Sequence, residues 1–252
     1  GSSTMPALNF TQLKTVDVYY PESLEEQKEI VSILDDAFAS IDKAKANIER
    51  NIENSKELFQ SKLNEIFSQT GEGWEEKMFK DMCVLQRGFD LPKRLRKNGK
   101  YDLVTSSGIK DSHADYKVEG PGVVTGRSGS IGNVFYIDNN FWPLNTSLYI
   151  KDFKENNERY IYYFLKSFDL SRYSSGSGVP TLNRNFVHDE LVVSTINIQE
   201  QKEIVSILDN LDSLANSSIS NYEKELANLE DLKKSILQKA FSGELTNKSA
   251  AA

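Results

Sequence analysis

The sequence predicts an α+β protein that joins one mixed α/β domain to a long antiparallel two-helix coiled coil. Three observations predict this fold class. The ten-residue string EQKEIVSILD occurs at Glu26–Asp35 and again at Glu200–Asp209. Each copy opens a longer segment whose apolar residues recur at helical steps. Between these segments, short apolar runs alternate with turn residues, a pattern that is typical of strands.

The repeat continues past the identical string at a constant offset of 174 residues, with 18 identities over 43 positions. Alternating apolar steps of three and four residues predict the narrow seam of a coiled coil. Neither segment contains Pro or Gly before Gly71 and Gly243, so these glycines are expected to end the helices. The predicted seam residues are Ile30, Leu34, Phe38, Ile41, Ile48, Ile52, Phe59, Leu63 and Phe67 in the first segment and Ile204, Leu208, Leu211, Ala215, Tyr222, Leu226, Leu229, Ile236 and Ala240 in the second.

One helix runs into the intervening domain and the other runs out of it, so they are antiparallel if they pair within one chain. The plainer alternative is an ordinary helical hairpin without a further role. The identity of the repeated string favours a surface that is fixed by a partner docking on both copies. The same offset matches Pro6 and Leu8 to Pro180 and Leu182, so we expect the chain to begin with the tail of a second domain of the same kind.

Composition excludes several classes of protein. No apolar run is long enough to span a membrane. The single cysteine, Cys83, excludes an internal disulfide and fits a reducing cytoplasm. The net charge is −7, yet Val84–Arg184 carries 15 Lys and Arg against 10 Asp and Glu, a charge of +5. We therefore expect the middle of the chain to face phosphate, and a solvated surface of patchy charge is the alternative.

The intervening domain is predicted to consist of short strands and one helix. Residues 71–82 read as a linker in which Trp74 anchors the junction by packing, and a helix is predicted over 156–173. A short strand is also predicted ahead of the first helix, at Leu13–Tyr20. The other predicted strands are Cys83–Gln86, Tyr101–Thr105, Gly122–Thr125, Asn133–Ile137, Ser147–Ile150 and Leu191–Thr195.

Two loops of this domain are the main candidates for contact with DNA. Residues 93–100 hold five basic residues and end in an Asn-Gly turn, which indicates either phosphate contact or a solvated loop. Thr125–Gly132, TGRSGSIG, lacks the lysine of a nucleotide-binding loop and is expected to bring its backbone close to a duplex. The candidate DNA-binding residues are Arg87, Lys93, Arg94, Arg96, Lys97, Lys100, Ser106, Ser107, Lys110, Arg127, Ser128, Ser130, Asn183 and Arg184.

Catalytic and metal-binding motifs are missing from the sequence. His113 and His188 lie far apart, without cysteines or paired carboxylates at metal-ligand spacing. The sequence has neither a nucleophile elbow nor a Walker lysine motif. These observations predict a recognition module without catalytic or metal-binding residues.

The sequence resembles the specificity (S) subunit of type I restriction-modification systems, in a truncated or half-subunit form. The resemblance covers nearly the whole chain, and the two glutamine-lysine helix starts are its most specific part. The motifs that carry it are EEQKEIVSILD, QEQKEIVSILD, LNEIFS, LQKAFSGEL, GWEEKMFKDMCVLQRG, TGRSGSIG and SGSGVPTLNR.

This resemblance implies a division of the chain and a set of partners. Residues 1–23 would be the remnant tail of a preceding recognition domain, 24–67 conserved helix 1, 68–198 the target recognition domain, 199–243 conserved helix 2 and 244–252 a disordered tail. The implied ligand is double-stranded DNA, and the implied partners are methyltransferase (M) and restriction (R) subunits in the cytoplasm. S-adenosylmethionine, ATP and Mg would be bound by those subunits and not by this chain.

The resemblance also implies that two copies, as a homodimer, would read an interrupted palindromic site. A monomer whose helices close within one chain is the alternative assembly. The rival function is a coiled-coil protein-interaction scaffold that does not bind DNA. A silent cassette used only in gene recombination is a third possibility.

Overall fold

A computed structural model describes residue 14, residues 20–176 and residues 178–246. The described chain forms two compact units, of which one is Lys56–Asn216 and the other consists of the residues before and after it. The helices are α1 (Leu24–Phe67), α2 (Phe79–Met82), α3 (Glu158–Ser167), α4 (Arg184–His188) and α5 (Ile198–Phe241). The strands are β1 (Trp74–Met78), β2 (Val84–Arg87), β3 (Tyr101–Thr105), β4 (Gly108–His113), β5 (Gly122–Gly126), β6 (Val134–Ile137), β7 (Phe141–Pro143), β8 (Ser147–Asp152), β9 (Ser174–Ser175), β10 (Thr181–Leu182) and β11 (Leu191–Thr195).

The predicted fold class, mixed helix and sheet with long helices, is confirmed. Helices α1 and α5 contain 44 residues each and no Pro or Gly, which removes the two residue types that interrupt helices most strongly. Both helices begin at a side-chain cap, since Ser23 Oγ accepts from Glu26 N and Asn197 Oδ1 accepts from Gln199 N. The end of α5 is followed by Gly243 at φ +77°, a left-handed conformation that suits glycine. Helix α1 ends at Phe67, ahead of the predicted stop at Gly71.

The unit formed by the outer residues contains an antiparallel pairing of α1 and α5. Lys45 is bonded to Glu230, and Lys233 lies 3.5 Å from Asp42. These pairs run in opposite directions along the two helices, as antiparallel packing requires. The ammonium group of Lys233 also lies 4.8 Å from the ring centroid of Phe38. Ile30, Ile41 and Ala240 of the predicted seam are buried, while a coiled-coil supercoil stays a prediction.

The unit Lys56–Asn216 is built on short sheets whose strands pair antiparallel, except that β3 and β7 pair in parallel. One sheet has the order β2-β8-β5-β6, a second has the order β4-β3-β7, and β1 pairs with β11. The amphipathic helix α3 covers the first sheet and buries Tyr160, Tyr163 and Phe164 in the main core. Asn157 caps α3, because its side chain accepts from Tyr160 N at 3.0 Å. Because α3 packs on this sheet, the loops between its strands begin and end at packed residues.

The second copy of the repeated string lies within this unit and packs into its core. Gln201, Ile204 and Leu208 are buried, and Asp209 Oδ1 accepts from Arg159 Nε at 2.8 Å. Part of the repeated surface is therefore used within the chain itself. The prediction that a partner docks on both copies stays a prediction.

The structure corrects the predicted strand pattern at several places. The predicted linker 71–82 contains strand β1, which pairs with β11 from Trp74↔Thr195 to Met78↔Leu191. Trp74 packs against the main core, as predicted, and its Nε1 also donates to Glu200 Oε1 at 3.1 Å. The predicted helix 156–173 is shorter, because α3 ends at Ser167 and a 3-10 turn follows at Leu170–Tyr173. Strands β4, β7, β9 and β10 were not predicted, while Tyr101–Thr105 and Leu191–Thr195 have the predicted bounds.

Some predictions concern parts of the chain outside the described residues. The predicted strand Leu13–Tyr20 falls outside them except for Lys14 and Tyr20, and the matched residues Pro6 and Leu8 fall outside entirely. Of the predicted disordered tail 244–252, only 244–246 are described, and there Thr246 Oγ1 donates to Glu26 Oε1 at 2.7 Å. The segment limits derived from the resemblance stay predictions.

Candidate nucleic-acid interface

A basic pocket of about 400 Å³ lies on the α/β unit, where β2, the loop after β5, β10 and the start of α4 meet. Four predicted DNA-binding residues line it: Arg87, Arg127, Asn183 and Arg184. They come from three separate parts of the sequence. The remaining lining residues are Leu148, Ser175, Thr181, Leu182 and Asn185.

Arg127 is held in place through its own main chain. Its N–H donates to Thr146 O at 2.9 Å, and its carbonyl accepts from Leu182 N at 2.8 Å. A side chain at the preceding Gly126 would clash with the carbonyl oxygen of Ser130, so only glycine fits this close approach. The guanidinium Nη1 donates to Asn145 O at 3.3 Å. Arg127 therefore enters the pocket from a backbone that is fixed on both sides.

Arg184 opens the short helix α4. Asn183 is the residue before it and caps the helix, since its Oδ1 accepts from Asn185 N at 3.1 Å. The Arg184 guanidinium Nη1 donates to the main-chain carbonyl of Leu85 at 3.4 Å. Like Arg127, Arg184 is therefore oriented by a neutral carbonyl group.

Arg87 differs from these two arginines because a carboxylate faces it. Its Nη2 lies 3.3 Å from Asp90 Oδ1. Asp90 also accepts from the side-chain amide of Asn145. The main-chain carbonyl of Asn145 in turn accepts from the Arg127 guanidinium. Asp90 thus compensates the charge of Arg87 and connects the positions of two pocket arginines.

His188, at the end of α4, contacts β2 through its side chain. His188 Nε2 accepts from Leu85 N at 3.0 Å, which requires that this nitrogen carry no proton. Burial and then the neighbouring Arg184 charge lower the pKa of His188 below its ordinary value. A neutral His188 adds no positive charge to the site, and its hydrogen bond with Leu85 N connects α4 to β2.

The basic segment 93–100 lies on the same unit but does not line the pocket. Lys93 and Arg94 begin an exposed 3-10 turn. Arg96 lies 3.6 Å from Asp111 and Lys100 lies over the Tyr101 ring at 5.0 Å. The main chain of segment 93–100 is also hydrogen-bonded to the sheet, because Lys97 N donates to His113 Nδ1 at 3.0 Å.

The predicted serine and lysine contacts lie around two neighbouring turns. Ser106 is buried and Ser107 exposed in the turn between β3 and β4, and Lys110 is exposed on β4. Ser128 pairs with Thr181 through an isolated bridge. The glycine turn that includes Ser130 adjoins the Ser106 turn, because a Cβ at Gly129 would lie 3.8 Å from Ser106 Oγ.

Three polar residues of the pocket were missing from the predicted set: Ser175, Thr181 and Asn185. Ser175 and Thr181 form the β9–β10 pair. In the sequence this stretch reads SRYSSGSGVPTLNR, which is rich in hydroxyl side chains. That composition was the available signal, but it does not reveal which of these residues line the pocket.

Metal binding and thiol chemistry both depend on how the His, Cys, Asp and Glu side chains of the described residues are placed. In residues 20–176 and 178–246, no group of three or more His, Cys, Asp and Glu is placed to hold a metal ion. Cys83 is buried, and this burial raises the pKa of its thiol well above the ordinary value. Within the same ranges, no helix is both long and apolar enough to cross a membrane.

Solved structures of similar fold come from type I restriction-modification systems. A chain from the structure described as "Structural basis underlying complex assembly and conformational transition of the type I R-M system" has a TM-score of 0.77 at 16% identity, covering 89% of this chain and 61% of that one. The HsdS subunit from Thermoanaerobacter tengcongensis has a TM-score of 0.58 at 16% identity, with 97% and 65% covered. The type I S subunit from M. genitalium has a TM-score of 0.58 at 19% identity, with 93% and 65% covered.

These likenesses establish the fold, and the chain spans less than two thirds of the length of each of the three structures. No curated protein matches the chain. A family comparison matches residues 1–54 and 71–228 to the family described as type I restriction modification DNA specificity domain. Because this match takes in most of the sequence, the chain belongs to the type I restriction-modification DNA specificity domain family.

Proposed function

We propose that this chain recognises a specific double-stranded DNA sequence as the non-catalytic specificity component of a type I restriction-modification complex. The observation that carries the proposal is the pocket in which Arg87, Arg127 and Arg184 meet. Arginine is the residue that most often contacts guanine in the major groove, and it also binds phosphate. Family membership supports the same proposal.

The basic residues divide into two proposed roles. Arg127, Arg184 and their neighbours in the pocket read bases, because they are held by the sheet and its loops. Lys93 and Arg94 contact phosphate, because they are exposed on a turn outside the pocket. Phosphate contacts position a protein on the duplex and carry no sequence information by themselves.

The long helices are the proposed docking site for methyltransferase subunits, which would bind S-adenosylmethionine, while restriction subunits would bind ATP and Mg. Support comes from exposed apolar side chains along both helices, including Val31 and Leu58 on α1 and Leu214 and Leu232 on α5. Single exposed apolar residues are ordinary, but the pair Leu58 and Leu232 occupies equivalent positions of the repeat. A homodimer that presents two recognition domains to a palindromic, interrupted site completes the proposal.

DNA binding is tested with the purified chain and a pool of random duplexes at low salt, with and without a methyltransferase subunit. Enrichment of one sequence is expected, together with weaker binding as salt rises. Arg127→Ala and Arg184→Ala should remove the enrichment. Arg172→Ala removes one positive charge from an exposed position outside both the pocket and the long helices and serves as the control.

Enrichment of no sequence, by a folded chain in the presence of the methyltransferase subunit, would favour the scaffold function. The homodimer is tested separately by sedimentation of the chain alone and with that subunit. A chain that sediments as a monomer in both conditions, while still binding one sequence, would contradict the dimer and leave DNA recognition in place.

A further inference from the structure

The pocket described above presents far more hydrogen-bond donors than acceptors. Each guanidinium carries five N–H groups and no acceptor. Ser175 and Thr181 line the same pocket, and Leu148 and Leu182 supply its apolar part. Such a surface fits a planar ligand edge that consists of acceptors. In the major groove only guanine offers two adjacent acceptors, O6 and N7, on a single base.

Arg127 and Arg184 retain their full charge and most of their donors. Each uses Nη1 to reach one main-chain carbonyl, at 3.3 Å for Arg127 and 3.4 Å for Arg184. A carbonyl orients the guanidinium plane without neutralising it. Arg87 is different, because both carboxylate oxygens of Asp90 lie within 3.4 Å of its Nη2.

The main chain around Arg127 is also fixed before any ligand binds. Its N–H and carbonyl are bonded to Thr146 and Leu182, and Gly126 stands in close contact with the Ser130 carbonyl. Because this main chain is already ordered, little of its conformational freedom is lost when a ligand binds. This favours a directional hydrogen bond to one base over non-specific attraction to phosphate.

We propose that Arg127, assisted by Arg184, binds the O6 and N7 edge of one guanine in the target sequence. Arg87, whose charge is compensated by Asp90, helps to position the duplex and contributes less to the choice of base. The proposal rests on the proposed function and names the base that this pocket reads. It assigns a specificity role to the two arginines that neutral carbonyls orient.

The test uses the full chain with a methyltransferase subunit and the sequence enriched from random duplexes. Guanines of that sequence are replaced one at a time by 7-deazaguanine, which lacks only the N7 acceptor, or by inosine, which keeps O6 and N7 and lacks the minor-groove amino group. One guanine is expected at which 7-deazaguanine weakens binding roughly tenfold while inosine changes it little.

Protein variants then connect that guanine to the pocket. Arg127→Ala should reduce the preference for guanine over adenine at this position by roughly ten- to a hundredfold, and Arg127→Lys, which keeps the charge, should still lose most of it. Arg172→Ala removes the same charge from the same unit outside the pocket and should leave the preference unchanged. Thermal unfolding of each variant checks that the unit remains folded.

Two results would overturn the inference while DNA recognition stands. One is an enriched sequence in which no guanine responds to 7-deazaguanine. The other is an Arg127→Ala variant that retains the full preference for guanine at that position, since another residue would then read the base. Failure to enrich any sequence would overturn the proposed function together with this inference.

Discussion

Gln27 and Gln201 occupy the same position of the repeated string but have different surroundings. Gln201 is fully buried and makes three hydrogen bonds. Its Oε1 accepts from Asn157 N at 2.9 Å, and its Nε2 donates to Asn156 Oδ1 at 2.7 Å and to Thr195 O at 2.9 Å. Gln27 is only partly buried, and its Nε2 donates to Pro21 O at 2.7 Å.

Replacing each glutamine with alanine should therefore have unequal effects on the free energy of unfolding. Gln201→Ala leaves the amide of Asn157 and the carbonyl of Thr195 without this partner in a buried place, at about 1–3 kcal/mol for each group. Its expected cost is about 3 kcal/mol in total. Gln27→Ala removes one bond at a site that water reaches, at about 1 kcal/mol. The change in helix propensity is similar at both positions and cancels in the comparison.

Two measurements check the difference. Urea unfolding followed by circular dichroism gives the loss of stability of each variant, and hydrogen exchange of the Asn157 amide gives a local readout. Only Gln201→Ala should accelerate exchange at Asn157. Equal losses of stability in the two variants, or an unchanged Asn157 exchange rate in Gln201→Ala, would refute the role that we assign to the buried glutamine.

Three further predictions concern the interface and its support. Charge reversal at Lys93 and Arg94 should weaken binding to all duplexes alike and reduce the slope of binding against salt concentration by about 2, and an unchanged slope would argue against phosphate contact by this turn. Gly126→Ala should destabilise the α/β unit by about 1–3 kcal/mol in a thermal melt, whereas Gly178→Ala, where a Cβ meets no atom within 4 Å, should change stability by less than about 0.5 kcal/mol. His188 has a lowered pKa in the folded chain, so the unfolded chain binds a proton at this residue more readily. The stability contributed by neutral His188 is therefore complete above pH 6.5 and is lost as the pH falls below that value. A His188→Gln variant should lose this part of the pH dependence in melts recorded between about pH 5 and 7.5.

Local patterns in the sequence were sufficient to predict the helices and several strands. Each long helix lacks Pro and Gly, and its apolar residues recur at helical spacing, so α1 and α5 follow from neighbouring residues alone. Strands β3 and β11 combine apolar alternation with flanking turns, and their bounds match the prediction. Strand β1 was missed because its sequence WEEKM is mainly polar, and its pairing partner β11 lies more than a hundred residues later.

The candidate site was predicted only in part, because its geometry depends on contacts between distant segments. The sequence identified Arg87, Arg127 and Arg184 as candidates but grouped them with Lys93 and Arg94, which lie outside the pocket. Pairing of β2 with β8 and of β8 with β5 brings the first two arginines together. Local sequence does not encode that register, since it depends on which apolar faces meet in the folded unit.

The sequence by itself determined that two nearly equal helices flank a mixed domain, because helix formation depends on residues within a few positions of each other. Only the tertiary structure decided what each copy of the repeated string contacts. Ten identical residues have identical local preferences, yet Gln201 is buried and bonded to Asn156, Asn157 and Thr195, while the partly buried Gln27 donates to Pro21 O. Burial depends on the rest of the fold, so two identical strings in one chain contribute differently to the free energy of unfolding and have different roles.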